Sequence, residues 1–172
     1  MLITPGYIEL NRELHSHGKY GLSGYKWAKA VDKLARGHEV KTLLDYGCGQ
    51  GTLAMGLQQY APLPYFVLEY DPAIAGKEEK PVRSDIVVCG DVLEHIEPDC
   101  LYPVLDDLAN IARVAVFLVV ATQPAMKTLA DGRNAHLIVE RNEWWLDKLM
   151  YRWRMNAFKD LGGEFLFIGV PR

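Results

Sequence analysis

The sequence has few cysteines and no long hydrophobic run. Among its 172 residues, Cys48, Cys89 and Cys100 show no paired or metal-ligand spacing, which excludes a disulfide-stapled fold and favours a reducing compartment. The longest apolar run, residues 114–121, is far shorter than the ~20 residues of a membrane span. Residues 1–9 contain no basic segment followed by an apolar one, as a secretory signal would. We therefore expect a cytoplasmic protein without membrane association.

An excess of one charge is also absent. Nineteen basic and 22 acidic side chains give a net charge of −3, so no global attraction draws the chain to nucleic acid or membranes. The length corresponds to about one domain, and neither an internal repeat nor a Pro/Gly-rich linker interrupts it. We predict a single domain over residues 1–172, in which residues 1–37 form a covering segment and residues 38–172 the core.

Segments typical of strands alternate with segments typical of helices. We predict strands at residues 40–46, 65–70, 86–89, 114–121 and 165–170, and helices at residues 23–36, 52–60, 102–113 and 142–161. Such alternation indicates βαβ units and a largely parallel sheet with helices on both faces. The fold class is therefore α/β.

The predicted helix at 142–161 has two distinct faces. Apolar residues recur every fourth position and are expected to pack on the sheet: Trp145, Leu149, Trp153, Ala157 and Leu161. Basic residues lie largely on the other side: Lys148, Arg152, Arg154 and Lys159. They form either a solvent-exposed helix face or a surface that contacts nucleic acid. Because the sequence lacks both an Asn/Asp-Pro-Pro-aromatic motif and a Pro-Cys pair, nucleic acid is a possible but not favoured partner.

The most informative segment is a glycine-rich turn after the first strand. Residues 43–51 read Leu-Leu-Asp-Tyr-Gly-Cys-Gly-Gln-Gly, a GxGxG spacing. The dinucleotide fingerprint would place its third glycine at Thr52, and the Walker motif would need a following Lys-Ser/Thr. Asp45 ends the strand, where α/β sheets bind ligands. Its carboxylate would repel a phosphate but suits an ammonium group.

This segment resembles the first motif of class I S-adenosylmethionine-dependent methyltransferases. Residues 67–72, Val-Leu-Glu-Tyr-Asp-Pro, resemble the second strand of that family, and residues 84–96 resemble its fourth strand and the turn that follows. The resemblance implies a Rossmann-like fold and S-adenosyl-L-methionine as cofactor. It also implies direct in-line transfer of a methyl group.

The resemblance further implies a set of cofactor-binding residues: Asp45, Gly47, Cys48, Gly49, Gly51, Glu69, Asp71, Asp91 and Val92. The glycines would offer backbone N–H groups to the cofactor, and Asp45 would face its ammonium. Asp71 would accept hydrogen bonds from both ribose hydroxyls, with Glu69 as the alternative. Asp91 and Val92 would lie beside the methionine and sulfonium region, and Cys48 would be a small filler. For Glu94 and His95, a packing role and a catalytic role are both left open.

One interval departs from the family pattern. Only residues 72–84 separate Asp71 from Asp85, and a helix followed by a third strand does not fit there. We predict a sheet trimmed by at least one strand, with the second strand at its edge and Ala73 or Ile74 over the adenine. The C-terminal end has room for one strand, where the family has a hairpin pair.

Two segments are candidates for selecting the methyl acceptor. Tyr20, Lys26 and Trp27 could form a lid; alternatively, Trp27, Val31 and Leu34 pack on the sheet as a covering helix. His15 and His17 are expected at the solvated surface.

The loop after the central strand is the second candidate. Asp131 or His136 could remove a proton from the acceptor, and Arg133 could hold an acidic acceptor; alternatively, these are loop residues that bond their own backbone. The sequence thus favours methyl transfer to an N or O group of a small molecule. The alternative is a non-catalytic cofactor-binding or partner-binding subunit, whereas the GxGxG spacing weakens an NAD(P)-dependent oxidoreductase. The oligomeric state is left open.

Overall fold

The structure is a computed structural model that describes residues 1–16, 18 and 20–172. Its strands are β1 (Thr42–Tyr46), β2 (Phe66–Tyr70), β3 (Ser84–Gly90), β4 (Ala112–Ala121), β5 (Trp153–Asp160) and β6 (Glu164–Pro171). Its α-helices are α1 (Pro5–Ser16), α2 (Ala28–Gly37), α3 (Thr52–Leu57), α4 (Leu101–Ile111) and α5 (Asn142–Arg152). Within these described ranges, no helix is long and apolar enough to span a bilayer.

The six strands form one mixed sheet in the order β2-β1-β3-β4-β6-β5. The first four are parallel, whereas β6 runs antiparallel to β4 and β5 antiparallel to β6. Asp45 near the end of β1 pairs with Glu69 in β2 and Val88 in β3. The three strands therefore end at one edge of the sheet, which confirms the predicted α/β, Rossmann-like arrangement.

Both faces of the sheet are covered by apolar packing. On one face, α4 and α5 bury residues such as Leu105 and Trp145 against the sheet. On the other, α2 and α3 bury Val31 and Leu53 against Phe117 of β4. Because β4 is covered on both sides, its apolar run is continuous rather than alternating.

The second strand lies at the edge of the sheet, as predicted. Residues 71–83 contain no strand, so β2 has a neighbour on one side only. Phe66 at its start is 78% exposed. Pro64 precedes β2 and Pro72 follows it.

The predicted helix at 142–161 is wrong beyond Arg152. The chain continues as β5 and turns at Gly162 and Gly163, both with positive φ, into β6. The expectation of a single C-terminal strand is therefore wrong too, because a hairpin pair is present. Pairing along β6 outweighs the four-residue apolar spacing, since strand formation depends on cross-strand partners more than on local preference. Lys148 and Arg152 remain on α5, whereas Arg154 and Lys159 lie on β5, so the four basic residues do not share one helix face.

The N-terminal segment also differs from expectation. Helix α1 was not predicted, and the helix expected at 23–36 is divided into a 3-10 turn at Ser23–Trp27 and α2. His15 on α1 is buried, so its predicted surface position is wrong; His17 lies outside the described residues. Trp27 and Val31 pack on the sheet, as predicted by the alternative in which this segment is a covering helix.

The position of Trp153 gives a stability prediction. Its side chain is 1% exposed, whereas that of the nearby Tyr151 is 78% exposed. Trp153→Ala should lower the free energy of unfolding by about 3–5 kcal/mol, because it leaves a cavity in the core. Tyr151→Ala should change it by no more than about 0.5 kcal/mol. Urea denaturation of both variants measures the difference, and equal effects would contradict the burial of Trp153.

Candidate functional site

A cavity of about 640 Å³ lies at the carboxyl ends of β1, β2 and β3. Its wall includes most of the residues singled out from the sequence: Asp45, Gly47, Cys48, Gly49, Asp71, Asp91, Val92, Tyr20, Lys26, Trp27 and His136. Among the residues outside this lining are Gly51, Glu69, Asp131 and Arg133. The sequence therefore located the cavity, although not every residue chosen faces it.

The backbone N–H groups of the glycine turn, residues 47–51, form hydrogen bonds within the chain. Gly47 and Cys48 donate to the carbonyl of Tyr70 at 2.7 and 3.1 Å, and Gly49 donates to Asp71 Oδ2 at 3.0 Å. Gly51 donates to the Cys48 carbonyl at 2.9 Å. The expectation that these glycine N–H groups are available to a ligand is corrected accordingly.

The glycines are instead required by backbone conformation and close packing. Gly47 has φ of +77° and Gly49 φ of +50°, a region that side chains with a Cβ disfavour. A Cβ on Gly47 would lie 2.4 Å from Val92, and one on Gly49 would lie 2.9 Å from Gly21. The turn can therefore approach both Val92 and the segment that covers the cavity.

Two buried carboxylates lie beside this turn. Asp45 and Asp71 are 5% and 6% exposed. Burial, with a smaller contribution from Glu69, raises the pKa of Asp45 to about 7. Burial also raises the pKa of the Cys48 thiol to about 12, so this thiol is unsuited to nucleophilic chemistry. The site thus contains buried acidic groups that a cationic ligand would stabilise.

Glu69 and Asp71 have different surroundings. Glu69 forms an ion pair with Lys77 at 3.1 Å, and its carboxylate lies against Gly51. Asp71 lines the cavity, but each of its oxygens already accepts a backbone N–H, from Gly49 at 3.0 Å and from Ala73 at 2.9 Å. Because each carboxylate oxygen can accept more than one hydrogen bond, Asp71 remains able to bind a hydroxyl.

Asp91 has a strained backbone at the end of β3. Its φ is +56°, which is uncommon outside glycine and occurs preferentially at functional sites. Lys26 Nζ lies 3.7 Å from Asp91 Oδ2 and 2.9 Å from Glu164 Oε2. This arrangement connects the covering segment to the strand ends across the cavity.

The N-terminal helix closes one side of the cavity. Tyr7, Asn11 and His15 recur every fourth residue on one face of α1, and all three are buried and line the cavity. Tyr7 donates to the His95 carbonyl at 2.6 Å. Sequence reasoning missed these residues because a helix face bearing tyrosine, asparagine and histidine is typical of a solvated surface.

A second group of polar side chains, those of Glu94, His95 and His136, also lines the cavity. Glu94 is fully buried, and burial raises its pKa to about 8. The rings of His95 and His136 meet edge to face, with centroids 4.7 Å apart. Burial lowers the pKa of His95 to about 4. The Tyr20 hydroxyl lies 3.0 Å from His95 Nδ1, so the covering segment contacts this group directly.

Asp131 and Arg133 pair with each other on the outside of their loop. Arg133 Nε donates to Asp131 Oδ2 at 2.8 Å, and the Arg133 backbone N–H donates to Asp131 Oδ1 at 3.1 Å. The structure does not bring either side chain to the cavity, because this local pairing holds both at the surface. It brings His136 there instead, with Nδ1 2.6 Å from the Gln123 carbonyl.

Four buried polar atoms of the cavity wall lack a hydrogen-bond partner within the described part of the chain: His15 Nδ1, Trp27 Nε1, Asp91 Oδ2 and Glu94 Oε2. Buried polar atoms are almost always paired in folded proteins, so each exception needs an explanation. Their convergence on one cavity indicates that a polar ligand completes the site.

A protein-family model matches most of this chain. The model of the methyltransferase domain matches residues 17–160, which includes β1 to β5 and the whole glycine turn. This chain belongs to the methyltransferase-domain family. No curated protein sequence matches it.

Solved methyltransferase structures share the fold of this domain. The DhpI complex with SAH has a TM-score of 0.64 and 13% identity, with 98% of each chain covered. The magnesium protoporphyrin IX methyltransferase ChlM from Synechocystis PCC 6803, with bound SAH, has a TM-score of 0.61 and 16% identity over 86% of this chain and 83% of that one. An S-adenosylmethionine-dependent methyltransferase from Clostridium acetobutylicum has a TM-score of 0.64 and 10% identity, covering 85% and 91%.

The raised pKa of Asp45 predicts a pH-dependent stability effect. Burial lifts its pKa from 3.8 to about 7, so the folded protein holds this proton more tightly than the unfolded chain. The carboxyl therefore lowers stability progressively as pH rises between these values. In the absence of added ligand, Asp45→Asn should stabilise the methyltransferase domain by roughly 1–4 kcal/mol at about pH 8 and hardly at all near pH 4.

Asp85 provides the matched control. Hydrogen bonds from the backbone N–H groups of Lys41 and Thr42 lower its pKa, so Asp85→Asn should destabilise the protein at about pH 8. Thermal denaturation across this pH range measures both variants. A loss of stability in Asp45→Asn at high pH would contradict the assigned protonation.

Proposed function

We propose that this chain is a methyltransferase that binds S-adenosyl-L-methionine and methylates an N or O group of a small-molecule acceptor. The convergence of unpartnered buried polar atoms and buried carboxylates on one cavity beside the glycine turn supports this most directly. Bound S-adenosyl-L-methionine would supply a methyl group already activated by the positive charge on its sulfur.

The chemistry of the cavity wall fits this cofactor. Asp45 is suited to accept from its ammonium, and a neighbouring positive charge would favour the ionised carboxyl. Asp71 offers acceptor oxygens for the ribose hydroxyls, and Ala73 lies buried beside it for contact with the adenine. Asp91 and Val92 also line the cavity, with Val92 against Gly47 of the glycine turn, and would contact the methionine part of the cofactor.

The residues of the chain would contribute mainly by positioning. Holding an acceptor in line with an activated methyl group supplies much of the rate in a reaction of this kind. Tyr20, Lys26 and Trp27 line the cavity and would limit the access of water to a bound cofactor. His136 remains a candidate base because it lines the cavity, whereas Asp131 and Arg133 would need a rearranged loop to reach an acceptor.

The covered cavity favours a small acceptor over a macromolecule. Helix α1 and the residues 20–27 both contribute to the cavity wall, and a volume of about 640 Å³ suits a cofactor with a small acceptor better than a folded nucleic acid or protein. A continuous basic helix face would have supported nucleic acid, but only Lys148 and Arg152 of the predicted face lie on α5, because the chain continues as β5 from Trp153.

Binding and transfer are tested separately. Calorimetric titration with S-adenosyl-L-methionine, S-adenosyl-L-homocysteine (SAH) and NAD should give one site for the first two and none for NAD. SAH release with a panel of small hydroxyl and amine compounds then tests transfer. Binding without transfer to any compound would favour the non-catalytic alternative, and preferential binding of NAD would overturn the proposal.

Gly49 provides a test of the cofactor site. A Cβ there would lie 2.9 Å from Gly21 Cα and O and would displace the covering segment. Gly49→Ala should weaken SAH binding at least about tenfold, or ~1.4 kcal/mol. Gly162→Ala carries similar backbone strain at φ of +75° but meets no atom within 4 Å, so it should leave SAH affinity unchanged. Equal affinity in both variants would remove the glycine turn from the site.

The two acids at the end of β2 can be distinguished by neutral replacements. Asp71→Asn should weaken SAH binding by about 10- to 150-fold, corresponding to ~1.5–3 kcal/mol for hydrogen bonds to a charged group. Glu69→Gln should have a much smaller effect, because Glu69 is paired with Lys77. Calorimetry decides between them, and the reverse order would assign ribose binding to Glu69.

A further inference from the structure

Glu94, His95 and His136 form a compact group of potential metal ligands. One donor atom from each lies within 4.8 Å of those of the other two. Glu94 is fully buried, both histidines are half-buried, and all three line the cavity. The group combines two chain segments, the turn after β3 and the loop after β4, so the fold rather than local sequence brings the ligands together.

Hydrogen bonds fix the orientation of both imidazole rings. His95 Nδ1 lies 2.7 Å from the Ala135 carbonyl, and His136 Nδ1 lies 2.6 Å from the Gln123 carbonyl. A carbonyl oxygen only accepts, so each Nδ1 carries a hydrogen. In the neutral ring this leaves the lone pair on Nε2. Metal-ligating histidines are held in this way, by donating their other ring N–H to a carbonyl or carboxylate.

The carboxylate has one free oxygen in the same place. Glu94 Oε1 accepts the Ala121 N–H at 3.1 Å, whereas Oε2 is buried and has no hydrogen-bond partner among the described residues. With Nδ1 of each ring facing a carbonyl, Nε2 is the ring nitrogen left to act as a ligand. The Tyr20 hydroxyl is 3.4 Å from His95 Nε2, longer than a strong hydrogen bond. A cation bound here would displace the proton that burial favours on Glu94 and would pair with these atoms together.

The types of ligand indicate the class of metal. Two imidazoles and one carboxylate form the ligand set of catalytic zinc sites and of non-haem ferrous sites, both of which keep coordination positions open. Magnesium and calcium prefer oxygen ligands throughout. We propose that Glu94, His95 and His136 bind one divalent transition-metal ion whose open positions face the cavity. As a consequence that rests on the proposed function, these positions would hold an oxygen of the methyl acceptor, and His136 would then act as a metal ligand and not as the base.

Cobalt is a suitable probe because Co²⁺ shows visible absorption bands that report its coordination. Chelator-treated protein titrated with Co²⁺ should bind one equivalent, develop bands typical of four or five ligands, and lose them when Zn²⁺ is added. Glu94→Gln and His136→Ala should each weaken Co²⁺ binding by about 10- to 100-fold or more, since even outer partners of metal ligands are worth that much. His38→Ala, at an exposed histidine after α2, should bind as the unmodified chain does.

Affinity for SAH provides the independent readout. His136→Ala should keep SAH affinity, and retained affinity shows that this variant is folded. The test therefore does not depend on Glu94→Gln, which changes a buried residue and could disturb folding. Unchanged Co²⁺ binding in both ligand variants, or a thiolate-to-cobalt absorption band from a cysteine, would overturn the metal site. If the protein binds SAH but does not bind Co²⁺, the metal site alone is overturned. If it binds Co²⁺ but does not bind SAH, the proposed function alone is overturned.

Discussion

The end of β2 holds the glycine turn in place, and the shape of the cavity depends on this contact. The Tyr70 carbonyl accepts the N–H groups of Gly47 and Cys48, and the neighbouring Asp71 accepts that of Gly49. A backbone carbonyl and a carboxylate therefore fix three consecutive amides of a turn whose conformation costs energy. Gln50 extends the arrangement by donating to the Gly21 carbonyl at 3.1 Å, which attaches the covering segment to the same turn.

The sequence predicted the parallel half of the sheet well because its signals are local. The apolar run in β4, the glycines after β1 and the short interval after Asp71 each limit the structure without reference to distant residues. The C-terminal hairpin could not be predicted in the same way. Trp153, Ala157 and Leu161 have helical spacing, yet β5 is stabilised by partners on β6 that a local pattern does not contain.

The candidate site shows the same division. Asp45 was found because it ends a strand of a parallel sheet, and Asp71 and Asp91 because the segments that contain them resemble methyltransferase motifs. The contribution of α1 was missed, because its buried histidine and asparagine are stabilised by the fold around them. Asp131 has the right chemistry for a base, but its pairing with Arg133 depends on the loop conformation, which composition does not reveal.

The exposed outer edge of β2 has a consequence for self-association. An unpaired strand is a template on which another chain can add a strand. Here the strand has only five residues, and it lies between Pro64 and Pro72, which lack the N–H needed for a ladder. About two or three outward N–H groups remain for an incoming strand. The loss of a strand from the sheet thus leaves an edge too short, and too closely bounded by proline, to promote aggregation by strand addition.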